Sequence, residues 1–504
     1  MAGQRKAGAL LGYVNVVAKN LVNLMYVPLL LHYVGQGDYG VFQMTNSVVF
    51  TLTLLSAGFS GAYVRFYMQE VAHGTRDGLH RLNGMFLLVY AAAALLCFIG
   101  GMALTFNVEA LFSGGLMPHE LILTRKLMVI MILNITAQFI SSPFNSYITA
   151  KEHFVYQQTR QLLTTLAQPA LAVALVLLGW GAVGVALAML SITIILLAMN
   201  VAYAIRRLGM RFRFTGLQWS MFKAVAVFSF WIFLNQIFDL VNNNVPNFLL
   251  GAMASSTVVT TFSIAMQIRN IFMAMSTTMS SVFVPMINRI VAEHDDNKIL
   301  TQLMTRVGRY QMILFWAIYG GFILLGQYFV RLWAGERNAD AYWLAVIMVL
   351  PVMIPLTQNT GIEIQRAKNR HKARSLIYIL TSVIDIVLAV FLIPTMGYWA
   401  TAIGYIVSVI LGTGLFMNWY YQKRIGLDMP YFWKHQLPTI AMAVAVTAVC
   451  LLGTMILPVD SIPAFLLWGV IYVVLYTAGT LHISLTREER QHIFDTIRKK
   501  QADK

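Results

Sequence analysis

Charge is scarce in this sequence. Asp, Glu, Lys and Arg make up 11% of its 504 residues, where a soluble domain carries about a quarter. Acidic residues are the rarer sign, 20 against 36 Lys and Arg, and the formal net charge is +16. Cysteine is nearly missing: Cys97 and Cys450 each stand alone in an apolar run, which argues against a disulfide framework or a thiolate metal site. The ten His are scattered singly and lack ligand spacing, and no GxxxxGK[ST] run occurs. The chain therefore does not itself bind ATP through a P-loop; an ion gradient, the membrane potential, a substrate gradient or a partner must supply energy.

Long apolar runs are what the chain does have. Stretches of roughly 20 residues, enough to cross a bilayer core as a helix, recur from end to end, and 58% of the residues are hydrophobic. Closed barrels are the other spanning solution, but their alternating ten-residue segments are absent. The fold class is an all-α integral membrane protein. Fourteen spans fit: 9–34, 39–64, 83–105, 122–149, 155–178, 182–205, 222–246, 252–284, 309–332, 341–364, 373–393, 398–420, 437–457 and 462–483. The first is broken by Asn15, Lys19 and Asn23 and lacks a small-residue cleavage site, so it is expected to remain as a span rather than a removed signal.

Orientation follows from Lys and Arg. All but six of the 36 fall on the side that holds both termini; Arg125, Lys126, Arg331 and Arg337 lie in the opposite loops, and Lys19 and Arg269 lie inside spans. The positive-inside rule places both termini in the cytoplasm. Anionic headgroups and topology account for the net charge, and no nucleic acid is needed.

Three short matches recur at nearly one spacing: Val27-Pro28 with Val245-Pro246, Ala150-Lys151 with Ala367-Lys368, and Gly179-Trp180 with Gly397-Tyr398. They occupy equivalent places if spans 1–6 repeat as spans 7–12. An even number of spans per repeat leaves both halves in one orientation, with a pseudo-twofold axis along the membrane normal and a cavity between the halves. The chain then divides into a six-helix bundle (1–205), a cytoplasmic linker (206–221), a second six-helix bundle (222–424), two additional spans (425–484) and a C-terminal amphipathic helix (485–504).

The stretch "YVPLLLHYVGQGDYGVFQMTNSVVFTLTLLSAGFSGAYVRFY" resembles the first two helices of the multidrug/oligosaccharidyl-lipid/polysaccharide exporter superfamily, in its polysaccharide-transporter or O-antigen flippase branch. The resemblance rests on Pro28, Gly35, the Tyr39-Gly40 pair, Gly58 and Arg65; "IQRAKNRHKARSLIYIL" (364–380) and "GYWATAIGYIVSVI" (397–410) extend it. It covers the whole chain in layout. One departure is "SAGF" at 56–59, where related sequences often carry an acidic residue before the Gly. The resemblance implies two bundles forming a V, alternating access, and movement of a polyprenyl-diphosphate-linked oligosaccharide to the outer leaflet of a bacterial inner membrane. Its implied partners are that lipid-linked oligosaccharide, membrane lipids, and a polysaccharide polymerase or chain-length machinery; no cofactor is implied.

Ionisable groups near the bilayer centre cost at least about 2.5–3.5 kcal/mol each and usually face a cavity or a partner. Lys19 lies in span 1, Arg269 in span 8, Asp239 in span 7 and Asp385 in span 11; Arg65 closes span 2 and Glu363 lies near the inner end of span 10. Asn15, Lys19, Asn23 and Tyr26 form one helical stripe, as do Asn235, Asp239, Asn242 and Pro246, by their spacings of three and four. Such faces can line a wet cavity in which Lys19 and Arg269 meet a diphosphate, one as a point charge and one as a planar fork. Lys19, Asn23, Asn235, Asp239, Asn242 and Arg269 are the expected substrate-binding residues, and Arg65, Glu363 and Asp385 the expected gate or coupling residues. The competing reading is an ion pair, Lys19 with Asp239 or Arg269 with Asp385, that holds helices together. Asp239, Glu363 and Asp385 are also candidates for proton or sodium coupling.

The basic stretches "RRLGMRFRF" (206–214) and "RAKNRHKAR" (366–374) read as topology determinants against headgroups, and "TREE" (486–489) fits a helix-start capping box. Prolines 143, 169, 351 and 355 mark expected bends. The competing functions are an ion-coupled multidrug exporter, a peptidoglycan-precursor flippase, and a membrane polysaccharide polymerase or glycosyltransferase. The last is disfavoured, because the longest opposite-side loop, 106–121, offers only Glu109, His119 and Glu120; the chain is read as a transporter and not an enzyme.

Overall fold

The computed structural model describes residues 2–56, 58–216, 219–281, 283–293, 295–368, 370, 372–485 and 489–491; some side chains within these ranges, including those of Asn235, Asp239, Ser276 and Ser280, lie outside the description. Among the described residues there is no strand. Hydrocarbon offers no partner for N–H and C=O groups, so a spanning backbone must satisfy them internally, as a helix does. Among the described residues, eleven helical stretches are long and apolar enough to cross a membrane, which makes this a multi-span membrane protein.

The chain forms two units, one of residues 1–263 with 390–398, the other of 264–389 with 399–504. The first holds α1 (Ala2–Tyr33), α2 (Gln36–Thr51), α3 (Phe59–His73), α4 (Arg76–Phe106), α5 (Val108–Phe112), α6 (Pro118–Ala150), α7 (Phe154–Leu175), α8 (Gly181–Ala202), α9 (Trp219–Met253) and the start of α10 (Ser256–Ser281). The second holds the rest of α10, then α11 (Val284–Glu293), α12 (Asn297–Ala334), α13 (Asp340–Val349), α14 (Met353–Thr357), α15 (Asn359–Ala367), most of α16 (Lys372–Met396) and of α17 (Tyr398–Val409), α18 (Asn418–Tyr420), α19 (Met429–Ile456) and α20 (Ile462–Gly479).

Several expected spans are not single rods. Span 2 is two helices, α2 and α3, parted where Gly58 takes φ +84°, a left-handed conformation open to glycine. The break falls on the "SAGF" stretch. Span 10 is cut into α13, α14 and α15 around Pro351 and Pro355. Span 7 behaves in the opposite way. Pro246 lies inside α9, which continues to Met253, beyond the expected end at 246. Pro143 and Pro169 likewise stay inside α6 and α7.

The dipeptide repeat has a structural counterpart in local conformation. Pro28 and Pro246 both lie inside a helix, α1 and α9. Lys151 and Lys368 both cap the C-terminus of a helix, with φ, ψ of −81°, 1° and −81°, 4°. Gly179 (φ +88°) and Gly397 (φ +54°) both turn the chain into the next helix. The members of each pair thus share a local backbone setting.

In the first unit, aromatic side chains build the packing below α3. Tyr63, Tyr67, Phe86, Tyr90 and Tyr147 are buried together, and the Tyr63 hydroxyl donates to Asn83 Oδ1 at 2.6 Å. Asn83 Nδ2 in turn donates to the Arg211 carbonyl at 2.9 Å, and Arg213 N–H to the His80 carbonyl at 2.9 Å. The basic stretch 206–214 is therefore docked along the start of α4, with Met210 buried, besides carrying topology-setting charge.

In the second unit, α12 is the mast against which the last two spans pack. Tyr472 Oη and Tyr476 Oη on α20 donate to the Trp316 and Ile313 carbonyls of α12, each at 2.7 Å. Gly320 makes room for this, since a Cβ there would collide with the Tyr472 hydroxyl. One turn before Ile313 on α12, Glu489 accepts from Arg309 Nη2 at 2.6 and 2.8 Å and from Tyr310 Oη at 2.6 Å. Thr486, its partner in the expected capping box, lies outside the described residues.

Candidate functional site

The polar stripe of α1 divides. Asn15 is buried, and its Nδ2 donates to the carbonyl and to Oε1 of Gln158 on α7, both at 2.8 Å. It ties α1 to α7. One and two turns on, Lys19 and Asn23 are exposed, and among the described residues Lys19 makes no ion pair. On α9, Asn242 is buried, whereas the side chains of Asn235 and Asp239 lie outside the described residues, and with them the alternative Lys19–Asp239 pair.

The end of this unit away from the N-terminus of α1 is closed by small residues and hydroxyls. A Cβ on Gly40 would meet the Ser256 carbonyl, and one on Gly115 the Gly251 carbonyl, so α2 and the α5–α6 connection approach the α9–α10 turn at backbone distance. Ser256 Oγ donates to Glu120 Oε1 at 2.5 Å, Thr260 Oγ1 to the Gln36 carbonyl at 2.6 Å, and Asn247 Nδ2 to Ser47 Oγ at 3.0 Å. Ser263 Oγ then donates to Asn247 Oδ1 at 3.2 Å. Asn247 thus links α2, α9 and α10, a part that its place beyond the polar stripe of span 7 did not announce.

At the ends of α6–α8 nearest the α6–α7 turn sits Arg160, a cation that the sequence pattern did not single out. Arg160 Nη1 donates to Asn200 Oδ1 at 2.5 Å and Nη2 to Asn145 Oδ1 at 3.0 Å, while Asn200 Nδ2 donates to Ser141 Oγ at 2.8 Å. Neutral amides satisfy its hydrogen bonds without cancelling its charge. Asn145 and Asn200, lone amides in apolar runs, were the available signal.

In the second unit Arg269 is enclosed, with 4% of its surface exposed. Its guanidinium carbon lies 4.6 Å from the centre of the Tyr405 ring, within cation–π range, and Nη2 donates to Asn270 Oδ1 at 3.1 Å. Asp385 on α16 is also buried and interacts electrostatically with Arg269. Gly404 lets this carboxylate in, since a Cβ there would collide with Asp385 Oδ1. Gly404 and Tyr405 fall inside the "GYWATAIGY" stretch that carried the family resemblance, although neither was singled out.

The remaining expected residues are more local. Arg65 is exposed on α3, its guanidinium 6.0 Å from the centre of the Phe66 ring. Glu363 is partly buried on α15 and accepts from Arg366 Nη1 at 2.7 Å, one turn away.

Chemically, the first unit offers an exposed ammonium and amide on an apolar helix and a second cation held by amides. The second offers a guanidinium, a carboxylate and a phenol packed together. A family model described as "Polysaccharide biosynthesis protein" matches residues 6–291. The uncharacterized membrane protein EpsK of Bacillus subtilis strain 168 is 22% identical over 497 residues, 95% of each chain. Among solved structures, the chain is similar to the lipid II flippase MurJ in an inward closed conformation, at 14% identity and a TM-score of 0.74 over 94% of this chain and 98% of that one. It is also similar to an inward-facing multidrug resistance MATE family transporter of the MOP superfamily, at 14% identity and a TM-score of 0.64 over 81% and 94%. These likenesses show a common fold.

Proposed function

The chain belongs to the polysaccharide biosynthesis protein family, and from that premise we propose that it is a flippase for polyprenyl-diphosphate-linked oligosaccharide units, carrying them from the cytoplasmic to the outer leaflet by alternating access. The observation that carries this reading is the exposure of Lys19 and Asn23 on adjacent turns of α1, among apolar neighbours such as Val16, Leu21, Leu24 and Met25. Hydrocarbon penalises an ammonium heavily, so that face belongs in an aqueous chamber. Lys19 supplies a point charge for the diphosphate there, and Asn23 hydrogen bonds for sugar hydroxyls. Fourteen spans, cytoplasmic termini and a bacterial inner membrane belong to the same proposal, and so does coupling to protons or sodium through Asp385.

The closed end around Asn247 and Glu120 supports an alternating cycle. Backbone-distance contact between α2 and the α9–α10 turn bars passage there, and the Ser47–Asn247 and Glu120–Ser256 bonds are weak enough to break in turn. A disulfide in Ser47→Cys/Asn247→Cys is expected to stop transport, and reductant to restore it.

The deciding experiment reconstitutes the purified chain in proteoliposomes and measures headgroup translocation of a lipid-linked oligosaccharide. The reading requires translocation by the wild type and its loss in Lys19→Ala at equal protein level. Full activity of Lys19→Ala rejects the cavity assignment. A wild type that moves a cationic drug and no lipid-linked sugar makes this a multidrug exporter. The likeness to the lipid II flippase keeps a peptidoglycan precursor as the second substrate to assay, since it presents the same diphosphate with different sugars.

A further inference from the structure

The second unit has a pocket of about 680 Å³ near the C-terminal end of α12, closed by the start of α13, the end of α19 and the 457–461 turn. The volume falls within the ~300–1,000 Å³ of small-ligand sites. It lies near residue 328, about 28 Å along α12 from Arg309, which Glu489 holds, at 1.5 Å per residue. On the proposed topology it opens on the extracytoplasmic side.

Its lining combines rings with hydrogen-bonding groups of both kinds. Trp343 is half exposed and meets the Tyr342 ring edge-on at 4.9 Å, and the Tyr328 ring lies 5.7 Å from that of Phe465. Arg331 Nε is 3.4 Å from Glu336 Oε2, so these two orient each other. Gln327 and Asp460, also in the lining, make no hydrogen bond or ion pair among the described residues. Trp and Tyr at a membrane interface need no ligand to explain them. Two carboxylates, an amide and a guanidinium converging on the same space are not explained by that rule.

The charge pattern narrows the occupant. A phosphate headgroup would face Glu336 and Asp460 against one guanidinium that Glu336 already engages. An apolar drug would desolvate those groups without replacing their hydrogen bonds. A neutral polyol suits them: its hydroxyls donate to carboxylates and the Gln327 carbonyl and accept from Arg331, while its C–H faces lie on the half-exposed Trp343 ring. We propose that this pocket is a saccharide-binding site, taking sugar rings of the unit being moved once they reach the extracytoplasmic end. The proposal deepens the flippase reading and rests on it for the source of the sugar.

The test uses full-length protein in nanodiscs and saturation-transfer NMR. The probe is the oligosaccharide released by mild acid from the lipid-linked units of the cell that makes this chain, with glycerol 1-phosphate as the headgroup control. The expected result is transfer to the oligosaccharide ring protons and none to glycerol 1-phosphate. Asp460→Asn should weaken binding about tenfold, the size of a lost hydrogen bond to a charged group. Trp343→Ala should abolish the signal and Trp343→Phe keep it, which separates loss of the ring from loss of fold. Equal transfer in wild type, Trp343→Ala and Asp460→Asn, no transfer at all, or Arg331-dependent binding of glycerol 1-phosphate overturns the site. The proteoliposome assay keeps the two ideas apart. A wild type that translocates lipid-linked sugar without binding it here loses the pocket and keeps the flippase; one that binds the oligosaccharide without translocating its lipid form does the reverse.

Discussion

Lys19 and Arg269 carry the same sign, both lie inside apolar helices, and sequence spacing presents them as equivalents. Their surroundings are opposite. Lys19 is exposed on α1 and makes no ion pair among the described residues, whereas Arg269 is buried with Tyr405 and Asp385 and donates to the exposed Asn270. Charge in a membrane helix is therefore two different things. One is available to a ligand at once, and the other serves the fold until something displaces its neighbours.

Substitution can break this comparison, and the largest effect is expected at Arg269. Arg269→Ala removes the cation that interacts electrostatically with buried Asp385 and the guanidinium packed on Tyr405, a loss expected at the upper end of the ~0.5–3 kcal/mol of single substitutions. Thermal unfolding in detergent should show a lowered midpoint, alongside lost translocation. An unchanged midpoint would mean that Arg269 is no more structural than Lys19. Lys19→Ala should reduce translocation about tenfold or more, the worth of one charge-assisted hydrogen bond. Its unfolding midpoint should stay put, because exposed substitutions shift stability by only about 0.5 kcal/mol.

Charge-preserving exchanges sharpen the contrast. Lys19→Arg should keep most activity, since a chamber needs only positive charge at that point. Arg269→Lys should lose about 1 kcal/mol of stability, because an ammonium does not stack on the Tyr405 ring as a planar guanidinium does. Equal tolerance at both positions would erase the distinction. The smallest effect is expected away from both cations: Tyr476→Phe removes one hydrogen bond to α12 and about 1 kcal/mol, readable in the midpoint and silent in translocation.

Most of the architecture was legible in the sequence because a bilayer leaves few options. Runs of apolar residues had to be helices, and the members of each matched dipeptide pair share a local conformation. Helix breaks were less legible. Pro246 looked like a helix end and lies mid-helix, while the real interruption of span 2 came from Gly58, whose backbone conformation no side chain advertises. The site was legible in kind more than in pairing. The i, i+4 stripe of α1 put Asn15 with Lys19, yet Asn15 faces α7, where the Gln158 carbonyl and side-chain oxygen accept from its Nδ2. Arg160 was passed over for its place in the first two turns of α7, where a cation is ordinarily solvated. Gly404 escaped notice because its contribution is the absence of a side chain beside Asp385.

The hydroxyls of Tyr472 and Tyr476 fasten α20 to consecutive turns of α12, and Trp468 Nε1 fastens α20 to the Leu457 carbonyl at the end of α19. Whatever path α12 follows during a working cycle, the final hairpin must ride along as its passenger. A fluorophore attached at the short bend between α19 and α20 would then be a remote pointer to the displacement of α12.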